Sequence, residues 1–197
     1  MAGLPSSAGD ILRTSEVLAW PGTLVVPPTG LLVVSLPTTA GCDRTQARKQ
    51  VRQALREILG LLLPKPLELI DVAGQALRVK DSAIHLSVSH APGLSVAAIN
   101  LYGSVGVDVM QLDEGADSLP DWQRVAHDYL GPAAASRITC TYEFAQEWTR
   151  REAQLKCCGL GITEWDATQK LRYGKTMMLA LPDGYVGCVV QKNLPMP

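Results

Sequence analysis

Apolar and polar positions along the chain change period several times, and each change predicts an element. Residues 1–41 are rich in Pro, Gly, Ser and Thr, and within them the apolar run Leu31-Leu32-Val33-Val34-Ser35-Leu36 predicts a buried strand. A long helix is predicted next, starting at Thr39–Asp43 and ending near Gly60, ahead of Pro64 and Pro66. Val51, Leu55, Ile58 and Leu62 form its apolar stripe, while Arg44, Arg48, Arg52 and Arg56 follow one another at four-residue steps on another face. From Ile84 to His90 the pattern alternates with period two, and after Ala91-Pro92-Gly93 a second apolar run, Leu94 to Leu101, completes a hairpin signal. Val105 to Met110 alternates again, which puts three valines on one face and Gly106, Asp108 and Met110 on the other.

Gln111–Asp121 is polar and acidic and reads as a connection. Helical spacing returns in Trp122–Leu130 and Tyr142–Cys158, the latter with Phe144, Trp148 and Leu155 on one side and Gly159-Leu160-Gly161 as its stop. Residues 165–181 and 185–191 are predicted as two strands joined by the turn Pro182-Asp183-Gly184. Both halves run from helix into strands, without visible sequence identity between them. The fold class this predicts is α+β, with segregated helices and mostly hairpin-linked strands.

Composition narrows the classes further. Of 197 residues, 47% are hydrophobic and 19% charged, which is too apolar for a disordered tail. Cys42, Cys140, Cys157, Cys158 and Cys188 are an odd number with no C-x-x-C pair, so reduced thiols are expected, with Cys157 and Cys158 packing as small apolar residues near a helix end. A net charge of −1 gives no global reason to expect a nucleic-acid or acidic-membrane partner. The N-terminus lacks the basic-then-apolar build of a signal peptide, and Pro21, Pro27 and Pro28 interrupt the stretch Val17 to Leu36. A soluble, cytoplasmic protein is the expectation.

Three features carry candidate chemistry. Asp108 follows Val-Gly-Val on a strand, where the glycine leaves room for another group to approach; taken alone, it reads first as a strand-end cap. Glu152 and Lys156 stand one helical turn apart, which taken alone is an ordinary solvated ion pair. The arginine stripe repels itself unless an anion or acid lies against it, and Asp43 and Glu57 are the acids close in sequence. His85 and His90 lie on opposite faces of their strand, so a shared metal is not expected; His85 reads as a core or edge histidine, whereas His90 precedes the Ala-Pro-Gly loop. Together, two carboxylates, a lysine and an arginine stripe suggest a divalent metal with a polyphosphate. No G-x-x-x-x-G-K-[ST] or G-x-G-x-x-G loop is present, so side chains would have to hold the phosphates.

In that order, His85-Leu86-Ser87-Val88-Ser89-His90, Val105-Gly106-Val107-Asp108-Val109 and Trp148-Thr149-Arg150-Arg151-Glu152-Ala153-Gln154-Leu155-Lys156 resemble the three signature motifs of the 4′-phosphopantetheinyl transferases, in the larger, surfactin-synthetase-activating type. Arg48-Lys49-Gln50-Val51-Arg52 is similar to that family's basic helix, and the resemblance spans roughly residues 44–190. It implies a monomer of two similar α+β halves related by pseudo-twofold symmetry, residues 1–102 and 103–197, with coenzyme A between them. It implies transfer of the phosphopantetheine arm of coenzyme A to a serine of an apo acyl or peptidyl carrier protein. By the same resemblance Asp108 and Glu152 would be Mg²⁺ ligands, and Glu152 would also serve as base. Lys156 would meet the pyrophosphate and, with His90, offset charge on the leaving 3′,5′-ADP. Ser89 and His90 would contact coenzyme A phosphates, and Arg48 and Arg52 its 3′-phosphate end. Arg151 would take a cofactor-binding place that the family usually gives to lysine.

Beside Arg151 and a short, atypical stretch before Arg44, two further departures stand out. Met110 stands where many members have a second acid, and Gly74-Gln75-Ala76-Leu77 replaces a lysine-bearing loop. Rival expectations are a non-catalytic coenzyme A or carrier-protein binding relative and a general nucleotide phosphotransferase, the latter opposed by the missing phosphate loop.

Overall fold

Leu32, Val34 and Leu36 point one way along their strand and Leu31 and Val33 the other, and each set enters a different core. A computed structural model of the chain describes residues 14–39, 41–63, 68–72, 75–112, 121–169 and 174–193. Its elements, in order, are β1 (Thr14–Ser15), β2 (Leu18–Ala19), β3 (Leu31–Pro37), α1 (Arg44–Leu62), β4 (Leu69–Ile70), β5 (Arg78–Val79), β6 (His85–Ala91), β7 (Leu94–Asn100) and β8 (Gly103–Gln111). Then follow α2 (Trp122–Val125), a π-helical turn (Ala126–Leu130), α3 (Pro132–Ala135), α4 (Thr141–Cys157), β9 (Lys175–Leu179) and β10 (Tyr185–Asn193).

One sheet has six strands in the order β2-β3-β7-β6-β5-β4, the other four in the order β1-β9-β10-β8. The short β1 and β2 pair in parallel with β9 and β3, and the other pairings are antiparallel. Helix α1 covers one face of the six-stranded sheet, with Val51, Leu55 and Ile58 against Leu32, Val34 and Ile99. The opposite face meets the four-stranded sheet through Leu31, Val33, Val96, Val105, Val107 and Val189. Helix α4 covers the outer face of that second sheet, with Ala153 and Cys157 against Cys188 and Val190. The layers therefore run helix, sheet, sheet, helix, an α+β architecture. No helix among the described residues is long and apolar enough to cross a membrane.

Helix α1 begins where the sequence places it, because Asp43 caps it. The Asp43 side chain accepts from Gln46 N at 2.8 Å and Gln46 Oε1 accepts from Asp43 N at 3.2 Å, a complete capping box. Asp43→Ala is expected to cost about 1 kcal/mol, readable as a shifted urea midpoint with unchanged slope. Helix α4 ends in a Schellman turn: Gly159, at φ +71°, donates to Lys156 O and Leu160 donates to Leu155 O.

Three expectations need correction. Residues 165–169 are a loop, because the Asp166 carboxylate accepts from Thr168 N at 2.8 Å and folds the chain locally, and the strand is Lys175–Leu179. The face of α4 that meets the sheet is the small-residue line of Ala145, Thr149, Ala153 and Cys157, while Phe144 and Trp148 join a side cluster with Met110, Trp122 and Ala126. Cys157 is buried as expected, but Cys158, at the helix cap, is exposed; the five cysteines are all free. Gly74, and residues 113–120 of the polar connection, lie outside the described residues.

Candidate active site

Strand and helix periods explain how distant residues meet. Helix α4 runs along β8, and Gly106 lets it come close: a Cβ there would overlap Ala153 O and lie 2.5 Å from Cys157 N. One strand step on, Asp108 faces Lys156; one more, and Met110 packs in the cluster that holds Trp148. A two-residue strand step and a helical turn cover similar lengths, about 6.6 and 5.4 Å, so the alternation of one element stays near the turns of the other.

Serine hydroxyls close the other side of β8. Ser87 Oγ accepts from Val107 N at 3.0 Å and Ser89 Oγ from Val109 N at 3.3 Å, so β6 of the six-stranded sheet is stitched to β8 of the four-stranded one. Ser89 Oγ also donates to Asp108 Oδ1 at 2.7 Å. Lys156 Nζ donates to the same oxygen at 2.8 Å and to Val107 O at 3.2 Å. The Asp108 side chain is 10% exposed and that of Lys156 30%, so this ion pair is largely out of water.

A cleft of about 760 Å³ opens beside this seam. Arg44, Arg48 and Arg52 of α1, Ser89 and His90 of β6, Asp108 and Met110 of β8, and Trp148, Glu152 and Lys156 of α4 line it. The volume is that of an ordinary ligand site. Of the residues singled out in the sequence, Arg48, Arg52, Ser89, His90, Asp108, Glu152 and Lys156 come together here. Arg151 does not line the cleft. One residue is a 100° turn of a helix, and that turn carries its guanidinium to Gln169, to which it donates at 2.7 Å. His85 is exposed and apart from the cleft.

The sequence left some of the lining unassigned. Arg44, which opens the arginine stripe, lines the cleft one turn before Arg48, although the resemblance gave it no role of its own. Asp71 carried no signal, since its pairing with Arg52, at 2.7 Å, spans 19 residues. Among the described residues Arg52 is the member of the stripe with an acidic partner.

The field in the cleft is divided. Burial raises the Glu152 carboxyl above its ordinary range, the nearby Asp108 raises it further, and Lys156 pulls it back. His90 is pushed down to about 4, first by burial and then by Arg48, Arg44, Lys156 and Arg52. Its ring shares a 2.7 Å hydrogen bond between Nδ1 and Ser95 Oγ. At neutral pH His90 thus offers hydrogen bonds rather than positive charge.

This has a stability consequence of fixed sign. Between pH 6.5 and about 4 the unfolded chain protonates His90 while the folded one does not, so folding weakens as pH falls through that window. His90→Gln should flatten that part of the profile of urea midpoint against pH, and an unchanged profile would contradict a neutral, half-buried His90.

Whether the donors suit Mg²⁺ can be judged from their chemistry. Three carboxylates line the cleft: Asp71 is paired with Arg52, Asp108 with Lys156, and no hydrogen bond holds that of Glu152 among the described residues. Such hard oxygens suit a magnesium ion that keeps waters and takes further ligands from a phosphate substrate. Met110 offers a thioether in their company, a poor donor for a hard cation, and no cluster of three ligating side chains occurs among the described residues. By donor chemistry, Asp108 and Glu152 would suit Mg²⁺ as two ligands of a shell that waters and a phosphate complete. No protein-family model matches the chain, and no curated protein matches it.

Proposed function

We propose that this protein transfers the 4′-phosphopantetheine arm of coenzyme A to a serine of an apo acyl or peptidyl carrier protein, releasing 3′,5′-ADP. The observation that supports it best is the convergence of three separate sequence motifs and the basic helix on one cleft. That cleft is cationic along α1 and anionic where β8 meets α4.

In this reading Arg44, Arg48 and Arg52 hold the 3′-phosphate end, His90 offers a hydrogen bond toward the diphosphate, and Ser89, whose one hydroxyl proton goes to Asp108, positions that carboxylate beside it. Asp108 and Glu152 would hold Mg²⁺, which when bound neutralises diphosphate charge. The carrier serine oxygen attacks the β-phosphorus as its proton passes to the Glu152 carboxylate. The bond from phosphorus to the bridging oxygen breaks, and 3′,5′-ADP departs with the electron pair. Burial makes Glu152 a better base than an exposed carboxylate, and Lys156 meets the charge growing on the leaving phosphate. The division into halves 1–102 and 103–197 with pseudo-twofold symmetry belongs to the same proposal, as do a monomeric state and a cytoplasmic setting. Each sheet being backed by one long helix favours the two-half description.

Met110 favours a second reading, a relative that binds coenzyme A or the carrier without turnover. Incubation with coenzyme A, Mg²⁺ and a panel of apo carriers, followed by intact-protein mass spectrometry, separates the two. A carrier gaining the phosphopantetheine mass supports transfer. Coenzyme A binding with no mass gain on any carrier supports the binding reading, and ATP turnover would point to a nucleotide phosphotransferase.

A further inference from the structure

We propose that Lys156 is the resident counter-ion of Asp108 in the unliganded protein and yields that place when a diphosphate enters, so that divalent metal and coenzyme A load cooperatively. The inference rests on the transferase reading and deepens it. Asp108 is nearly buried, and a carboxylate there needs a charged partner. Its Oδ1 already takes two donors, Ser89 and the Lys156 ammonium.

A metal ion arriving alone must therefore compete with a cation already seated on one of its two carboxylates. Of the two protein acceptors it holds, the displaced ammonium would keep the neutral Val107 carbonyl, 3.2 Å away. A diphosphate changes both sides of that balance. It gives the ammonium, on its flexible four-carbon stem, new anionic oxygens, and it gives the metal the oxygens that Met110 does not supply. By linkage, the factor by which coenzyme A tightens metal binding equals the factor by which metal tightens coenzyme A.

Binding of Mn²⁺, followed by electron paramagnetic resonance with and without coenzyme A and with no carrier present, tests this without turnover. Wild type is expected to bind Mn²⁺ weakly alone and about tenfold or more tightly with coenzyme A. Lys156→Met removes the competing charge, so it should bind Mn²⁺ alone about tenfold more tightly and show a smaller coupling. Lys156→Arg keeps the charge and should keep metal-alone binding weak. Lys156→Gln, whose amide can still donate to Asp108, serves as the neutral variant if methionine unfolds the chain. Both neutral variants should also gain more melting temperature from Mn²⁺ than wild type does.

Mn²⁺ affinity in the neutral variants no tighter than in wild type, or a wild type without coupling, overturns the proposal while leaving transfer possible. A wild type that binds neither Mn²⁺ nor coenzyme A overturns the transferase reading and this inference with it.

Discussion

Glu152→Gln and Asp108→Asn are each expected to slow transfer to a carrier serine by on the order of 10³-fold, the scale of losing a general base or a preorganised charge at a reacting phosphate. The two variants should differ in how they do so. Glu152 has no hydrogen-bonding partner among the described residues, so its amide is nearly isosteric and costs little stability; the loss should fall on kcat. Asp108→Asn keeps an acceptor for Ser89 but removes the charge that Lys156 pairs with, leaving a partly buried ammonium on a carbonyl. Because the lysine still reaches solvent, the cost is about 2 kcal/mol, below that of breaking a fully buried pair. Initial rates by mass spectrometry together with urea denaturation resolve both effects. Either variant transferring at near wild-type rate while folded would remove its carboxylate from the reaction.

Local periodicity makes much of this legible in the sequence. The four- and three-residue steps of Val51, Leu55 and Ile58 and the acid at Asp43 mark out α1, and the alternation around Asp108 marks the face on which its carboxylate projects. The one-turn spacing of Glu152 and Lys156 placed both on the wall that meets that face. What stayed hidden depends on contacts between elements. The pairing of Arg52 with Asp71 crosses 19 residues. Ser87 and Ser89 read as strand polar positions, yet their hydroxyls serve the amides of β8. Arg151 shares a motif with Glu152 but not its direction, a matter of helical angle. His90 lost its positive charge to burial and to arginines gathered around it by the fold, which no local pattern encodes. Two-residue strands such as β1 and β2 carry no periodicity at all.

Gly106→Ala should be strongly destabilising and should also disturb the site. Gly106 has no left-handed φ to explain it, so its role is space. The added Cβ would overlap backbone atoms of α4 at Ala153 and Cys157, which cannot rotate aside as a side-chain tip would. Helix α4 must lift from the sheet, opening the packing of Ala153 and Cys157 on Cys188 and Val190. Overpacking against side chains costs about 1–3 kcal/mol, and a backbone collision belongs at or above the top of that range. Lifting α4 also carries Glu152 and Lys156 away from Asp108, so the folded fraction should lose the 2.8 Å ion pair and most of its activity. Gly161 is the matched control: it lines the same cleft, has ordinary φ, and a Cβ there meets nothing within 4 Å, so Gly161→Ala should change stability by less than about 1 kcal/mol. Urea denaturation of the pair decides the matter, and equal midpoints would mean that β8 and α4 do not approach as closely as the placement of both carboxylates requires.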